Sequence, residues 1–442
     1  MTHSTSATLD AGSGANSLPG NTGVNMEVTY KKIAWRLIPF LVFLFVLAWI
    51  DRVNVGFAKL QMLQDLQFSE AIYGLGAGIF FIGYFLFEVP SNLLLEKIGA
   101  RKTLARITIL WGLTSMAMAY VTTPMSFYVL RFFLGVFEAG FFPGVVLYLT
   151  YWFPAQRRAR VNGLFMTSFA IAGAVGGPIA GLIMSRMEGV GHLANWQWLF
   201  ILEGIPSLIA GIFVLLYLPE KPANAKWLSA AEKQAVTQAL VAENTSASKH
   251  MSLKDACSDY RIWLCAGVYF CIVSGNATIA FWTPSIIKEI GVQGNLQIGL
   301  ISAIPFIAGT LAMIWNGIHS DKTGERRMHS AIATLIACIG LIVTGLTLGN
   351  AVVALCALTL AAIGILAAFP VFWSIPAAFL AGTAAAGGIA LINSIGNLAG
   401  FAAPYMIGAL KTSTGSLSSG LYVVAALEFI ASFLVIVFVK KT

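Results

Sequence analysis

Charge is what this sequence has least of. Asp, Glu, Lys and Arg make up only 10% of its 442 residues while 58% are hydrophobic; a soluble domain is about 25% charged. Most of the chain is therefore solvated by lipid, in keeping with a mean hydropathy of +0.80. Strict apolar–polar alternation is also missing, which excludes a transmembrane barrel. Helices remain, because within a bilayer every backbone N–H and C=O must find its partner inside the protein. The five histidines (His3, His192, His250, His319, His329) are scattered, and the five cysteines (Cys257, Cys265, Cys271, Cys338, Cys356) show no metal spacing. That leaves no zinc or haem centre, and no metal or cofactor is expected. No nucleophile stands with a base, so an enzyme is not expected. No loop supplies the filter or charge ring of a channel.

The net charge of +8 does not point to nucleic acid, because the basic residues flank apolar runs instead of sharing a soluble face. They cluster as Lys31, Lys32 and Arg36; Lys97, Arg101 and Lys102; Arg157, Arg158 and Arg160; Lys322, Arg326 and Arg327; Lys440 and Lys441. Lys59, Arg186, Lys288 and Lys411 are the main exceptions. The positive-inside rule makes the clusters cytoplasmic, so both termini face the cytoplasm and the number of spans is even. Residues 1–25, rich in Ser, Thr, Gly and Asn, lack the layout of a signal peptide and read as a disordered cytoplasmic tail.

Runs near the ~20 residues that a membrane helix needs occur at 34–57, 71–95, 103–122, 125–150, 160–186 and 196–218, then at 261–287, 297–320, 328–349, 352–377, 383–410 and 417–439. The expected fold is all-α and polytopic, twelve transmembrane helices in two six-helix bundles. The bundles are expected at 26–218 and 261–442, with a cytoplasmic linker at 219–260. A motif recurs in both halves, as in parallel-repeat transporters. Glu96, Lys97, Gly99 and Arg101 follow span 2; Gly317, Asp321, Lys322, Gly324 and Arg326 follow span 8. An acid at a helix end beside basic residues is expected to latch neighbouring helices at the cytoplasmic gate.

Ionised groups at membrane depth cost roughly 2.5–3.5 kcal/mol each on insertion scales and mark functional sites. Asp51 and Arg52 lie in the first apolar run, Arg131 and Glu138 in the fourth. Arg131 and Glu138 are two turns apart, about 10 Å along the axis, so each needs another partner. Asp51 is the expected partner of Arg131, which would leave Glu138 short of a countercharge. Arg52 offers a planar, permanently charged fork suited to a carboxylate.

The twelve-span plan and the doubled loop resemble the major facilitator superfamily. Asp51-Arg52-Val53-Asn54-Val55-Gly56-Phe57-Ala58, Glu88-Val89-Pro90-Ser91-Asn92, Phe137-Glu138-Ala139-Gly140-Phe141-Phe142-Pro143-Gly144 and Tyr148-Leu149-Thr150-Tyr151-Trp152-Phe153-Pro154 resemble its anion:cation symporter branch. That branch includes bacterial permeases for phthalate, tartrate, 4-hydroxyphenylacetate, nicotinate and hexonates. The first loop departs from the family, with Asn92 and Glu96 where glycine and aspartate are usual. The resemblance implies proton-coupled uptake of a small organic anion across the bacterial inner membrane; a twelve-span carrier that encloses its own path is expected to work as a monomer. It implies Arg52 at the substrate carboxylate, with Asp51 and Glu138 as proton-coupling positions and Arg131 beside them. Proton-coupled efflux of a small solute is the alternative.

Polar and aromatic residues are expected to complete the pocket. They are Tyr84 on span 2, Trp373 and Ser374 between two prolines on span 10, Asn393 and Asn397 on span 11, and, more weakly, Asn276 on span 7. Such side chains also serve as interhelical glue. The Gly173–Gly181 stretch reads as close helix packing. Glu88, Glu203 and Glu428 are assigned no transport role.

Overall fold

The computed structural model describes residues 24–244, 259–379 and 383–439, and all regular structure among them is helical. The N-terminal helices are α1 (Met26–Val53), α2 (Val55–Asp65), α3 (Glu70–Ile98), α4 (Ala100–Ala117), α5 (Pro124–Glu138), α6 (Phe141–Thr150), α7 (Ala155–Arg186) and α8 (Asn195–Tyr217). After α9 (Ala230–Asn244) come α10 (Tyr260–Glu289), α11 (Asn295–Thr323), α12 (Arg327–Leu346), α13 (Ala351–Phe379), α14 (Thr383–Asn397), α15 (Ala399–Thr414) and α16 (Leu417–Phe438). Ten segments among the described residues are long and apolar enough to cross a membrane, α1–α2 and α5–α6 counting as one each. The other two expected spans are α4 and the pair α14–α15, so the two bundles of six are complete. Most of the expected tail, with His3, lies outside the described residues, as do His250, Cys257, Lys440 and Lys441.

Three spans are broken, and the apolar pattern did not show where. The breaks fall at Asn54, at Ala139–Gly140 and at Leu398. Gly140 has φ +83°, a left-handed conformation, and a Cβ there would meet the Cβ of Ser91 at 2.6 Å. Glycine is needed on both counts. The break ends α5 at Glu138.

The bundles meet along two seams, α3 against α15 and α7 against α11. Backbones touch there because side chains are absent. A Cβ on Gly177 would stand 2.7 Å from the carbonyl oxygen of Gly299, and one on Gly74 would overlap that of Pro404. Part of the 219–260 stretch is helical and docked. Ser229 N–H donates to Glu232 (2.7 Å) and Glu232 N–H to Ser229 Oγ (3.2 Å), a reciprocal cap that starts α9. Lys32 of α1 pairs with Glu232 at 3.0 Å, and Trp227 stacks on Trp152.

Candidate functional site

Neighbouring residues on a helix point about 100° apart, and this decides what Asp51 and Arg52 can reach. Asp51, 1% exposed, turns toward α4 and α8. It accepts hydrogen bonds from Trp111 Nε1 (3.1 Å), Ser115 Oγ (2.6 Å) and Ser207 Oγ. Arg52 turns the other way, toward α3 and α5. Its Nε and Nη2 both donate to Oε1 of Glu138, the former at 3.0 Å. The guanidinium carbon lies 5.2 Å from the Phe80 ring, 5.5 Å from Tyr84 and 5.6 Å from Trp49, a cage of ring faces that favours a cation. The Arg52 side chain keeps 18% exposure while that of Glu138 keeps 1%. Glu138 Oε2 is buried with no hydrogen-bond partner.

The expected pairing of Asp51 with Arg131 is therefore corrected, as is the idea that Glu138 lacks a countercharge. Arg131, fully buried, spends its guanidinium on backbone oxygens. It donates to Gly76 (3.2 Å), Ala77 (3.3 Å) and Arg52 (3.3 Å), and so ties α5 to α3 and α1. The acid it was matched with lies on the opposite face of α1. Sequence spacing separated Arg131 from Glu138 correctly but carried no information on which face of α1 met which helix.

Tyr84 is part of the cage around Arg52. One turn further along α3 stands Glu88, within electrostatic reach of Arg52 and of Tyr269 on α10. Tyr269 stacks on Phe372 (5.0 Å) and meets Trp373 edge-on (4.9 Å), so Trp373 packs against a tyrosine that sequence reasoning passed over. A phenol in mid-span was the available signal. Ser374 Oγ donates to Val371 O (2.7 Å) and is spent on its own helix. Asn393, Asn397 and Asn276 are half-buried, without hydrogen bonds among the described residues.

The α2 end of the molecule is sealed. Tyr73 OH donates to Phe281 O (2.8 Å), Lys288 Nζ to Leu60 O (2.8 Å) and Ala71 N–H to Thr412 Oγ1 (3.0 Å). Lys59 pairs with Glu70 (2.6 Å) and lies 3.6 Å from the centre of the Trp282 ring; Lys411 pairs with both Glu70 (3.1 Å) and Glu289 (2.9 Å). Lys59, Lys288 and Lys411, which broke the basic-loop pattern, are thus part of a closure between the bundles.

At the opposite end the doubled motif behaves differently in its two copies. Asp321 pairs with Arg326 (2.6 Å) across the turn at Gly324, φ +71°. In the first copy Glu96 and Lys97 are exposed and in no ion pair among the described residues. The acid in use is Glu220, which accepts from the N–H groups of Ala100 and Arg101 (3.2 Å) at the start of α4, beside Gly99 with φ +96°. An acid at a helix N-terminus offsets its dipole and orphan donors.

The arrangement is a caged guanidinium with buried acids in the N-terminal bundle, and the two bundles are closed against each other at one end. A curated protein of Agrobacterium vitis, provisionally named a tartrate transporter, is 49% identical over 409 residues, covering 92% of this chain and 94% of that one. A quinolone resistance transporter of Acinetobacter baumannii is 43% identical over 394 residues, covering 89% and 90%. The solved structure of the xylose transporter XylE of E. coli, in an inward open conformation, is similar in fold, with TM-score 0.72 at 15% identity over 93% of this chain and 97% of that one. Residues 41–404 match the Major Facilitator Superfamily. This chain is a multi-pass membrane protein of the Major Facilitator Superfamily, a transporter and not an enzyme.

Proposed function

We propose that the protein takes up a small organic acid anion, an aromatic carboxylate, tartrate or a sugar acid, together with protons. It does so by alternating access, as a monomer in the bacterial inner membrane. The alternating bodies are residues 26–218 and 261–442, joined by a cytoplasmic linker at 219–260. The relative provisionally named for tartrate supports the substrate class. With the basic clusters in the cytoplasm, both termini lie inside, the sealed α2 end is periplasmic and this conformation opens inward.

The carrying observation is that one oxygen of Glu138 occupies the Arg52 fork while the other has no partner. A substrate carboxylate and Glu138 compete for the same guanidinium. Protonating the orphaned oxygen removes Glu138 as a competitor and frees Arg52 for two parallel hydrogen bonds to the anion. When the proton leaves, Glu138 regains charge and displaces the substrate. Arg131, fixed by three carbonyls, keeps α1, α3 and α5 in register, and Tyr84, Glu88, Tyr269 and Trp373 shape the cavity between bundles. Neutralised charges lower the cost of closing that cavity around a midplane site.

Uptake of tartrate, nicotinate and hexonates into proteoliposomes under an imposed pH gradient tests the reading. Wild type is expected to accumulate one of these acids, Arg52→Ala to lose binding and uptake, and Glu138→Gln to keep substrate exchange without accumulation. Accumulation by Glu138→Gln at the wild-type level would falsify the coupling role. The quinolone-resistance relative favours a second reading, proton-driven efflux of a small solute. Silence with every acid, together with export of a non-acidic solute, would establish it.

A further inference from the structure

Behind Arg52, inside the N-terminal bundle, lies a second polar cluster that the cycle above does not use. Glu203 of α8 is 5% exposed and Asn54, at the α1–α2 break, 1%. Both carboxylate oxygens of Glu203 and both amide atoms of Asn54 lack hydrogen-bond partners. The two side chains face each other just short of hydrogen-bond geometry. Helix spacing explains why they meet. Ser207, one turn from Glu203 on α8, holds Asp51, and Asn54 lies three residues beyond Asp51 on α1, so the two pairs stack along antiparallel helices.

Charge counting gives the site its meaning. Asp51 accepts from three neutral donors, which offset part of the cost that burial imposes on its charge. Glu203 has only the Asn54 amide within reach as a donor, lies near Asp51 and has no cation beside it. Arg52 is engaged by Glu138, Arg131 by carbonyls and Lys59 by Glu70. From α4 come Trp111, Ser115 and Met116, none of them charged, and α7 carries charge only toward its ends, at Arg157, Arg158, Arg160 and Arg186. Two buried carboxylates without a cation cannot both stay ionised. Three free oxygens are too few for the shell of an alkali ion, whereas one proton suffices. Protonated Glu203 donates to Asn54 Oδ1 and accepts from Nδ2, which satisfies the orphaned amide.

We infer that Asp51, Asn54 and Glu203 form a second proton site, in which Glu203 binds a proton from water on one side of the membrane, pairs with Asn54, and returns it to water on the other. The inference rests on the proton-symport reading and adds one proton to each turn of the cycle.

Infrared difference spectroscopy of the purified, lipid-embedded protein tests this without knowledge of the substrate. The expected result is a protonated-carboxylic-acid carbonyl band that disappears on alkalinisation, is absent in Glu203→Gln, and shifts in Asn54→Leu. Gln keeps the size of the side chain and its bonds to the amide, so folding is retained, and a thermal melt checks it. A Glu203→Gln spectrum that keeps every pH-sensitive acid band of wild type, Glu138 included, overturns the proposal. So does a Glu203 band that ignores pH, since that makes Glu203 a fixed structural acid. A spectral change on replacing choline by Na⁺ in wild type but not in Glu203→Gln makes this a sodium site and likewise refutes it. Failure of wild-type proton-driven uptake is a separate result, and sinks the symport reading instead.

Discussion

Lys411→Ala removes one side chain from the seal at the α2 end and leaves the Lys59–Glu70 pair in place, which makes it a clean test of what keeps that end closed. Lys411 stands 3.1 Å from Glu70 on the other bundle and 2.9 Å from Glu289 on its own. At an effective dielectric constant of 20, a pair at that separation attracts with roughly 5 kcal/mol before desolvation is subtracted. The side chains are 19% exposed at Lys411 and 24% at Glu70, between the surface and buried limits. Exposed pairs contribute about 0.2–1 kcal/mol, and breaking a fully buried one costs about 3–5. A net loss of about 1.5 kcal/mol is expected, which shifts the closed-to-open ratio roughly tenfold. Thr283→Cys reports the opening, because Thr283 is 1% exposed on α10, two residues from the Phe281 carbonyl that Tyr73 holds across the seam. In right-side-out vesicles an impermeant maleimide is expected to label that cysteine about ten times faster when Lys411 is replaced. An unchanged rate would show that the ion pairs do not hold the seal. Labelling confined to inside-out vesicles would reverse the orientation assigned to the α2 end.

Two further changes probe packing and docking. Gly135→Ala pushes a methyl group into the carbonyl oxygen of Phe80, where α3 and α5 touch backbone to backbone; a loss of about 1–3 kcal/mol is expected, and an unaltered melting temperature in lipid would contradict it. The Ser229 N–H, followed by Lys32, holds the Glu232 carboxyl below its usual range, so its contribution to docking α9 is complete above the ordinary carboxylate range and is lost only as pH falls through the depressed value. Hydrogen exchange of α9, corrected for intrinsic rates, should therefore rise on strong acidification; a rise already near neutral pH would rule this out.

The sequence carried the spans and the depth of each charge, because lipid enforces both through length and cost. Partnership was not legible to the same degree. Asp51 and Arg52 are adjacent in sequence yet serve different helices, a distinction made only by the packing of α4, α5 and α8 around α1. Glu220 displaced Glu96 as the acid at the first gate loop for a similar reason, since helix order along the chain does not reveal which distant carboxylate meets an exposed helix start. Ser229 and Glu232 spelled a capping box in plain sight. Glu203 was read as an acid without a transport role and Asn54 as one letter of a motif, and only their facing orphaned atoms distinguish them from ordinary interhelical contacts.

The glycine seams have a consequence for turnover. Where Gly177 meets Gly299, and Gly74 and Gly408 meet the backbone of the other bundle, closure immobilises no rotamers, because glycine has none to lose. A closing face lined with leucine or methionine would surrender side-chain entropy each time it shut and recover it each time it opened, which would bias the molecule toward the open form. Smooth backbone surfaces remove that bias, so the resting balance between the two faces is set by the few charges at Lys59, Glu70, Glu289 and Lys411.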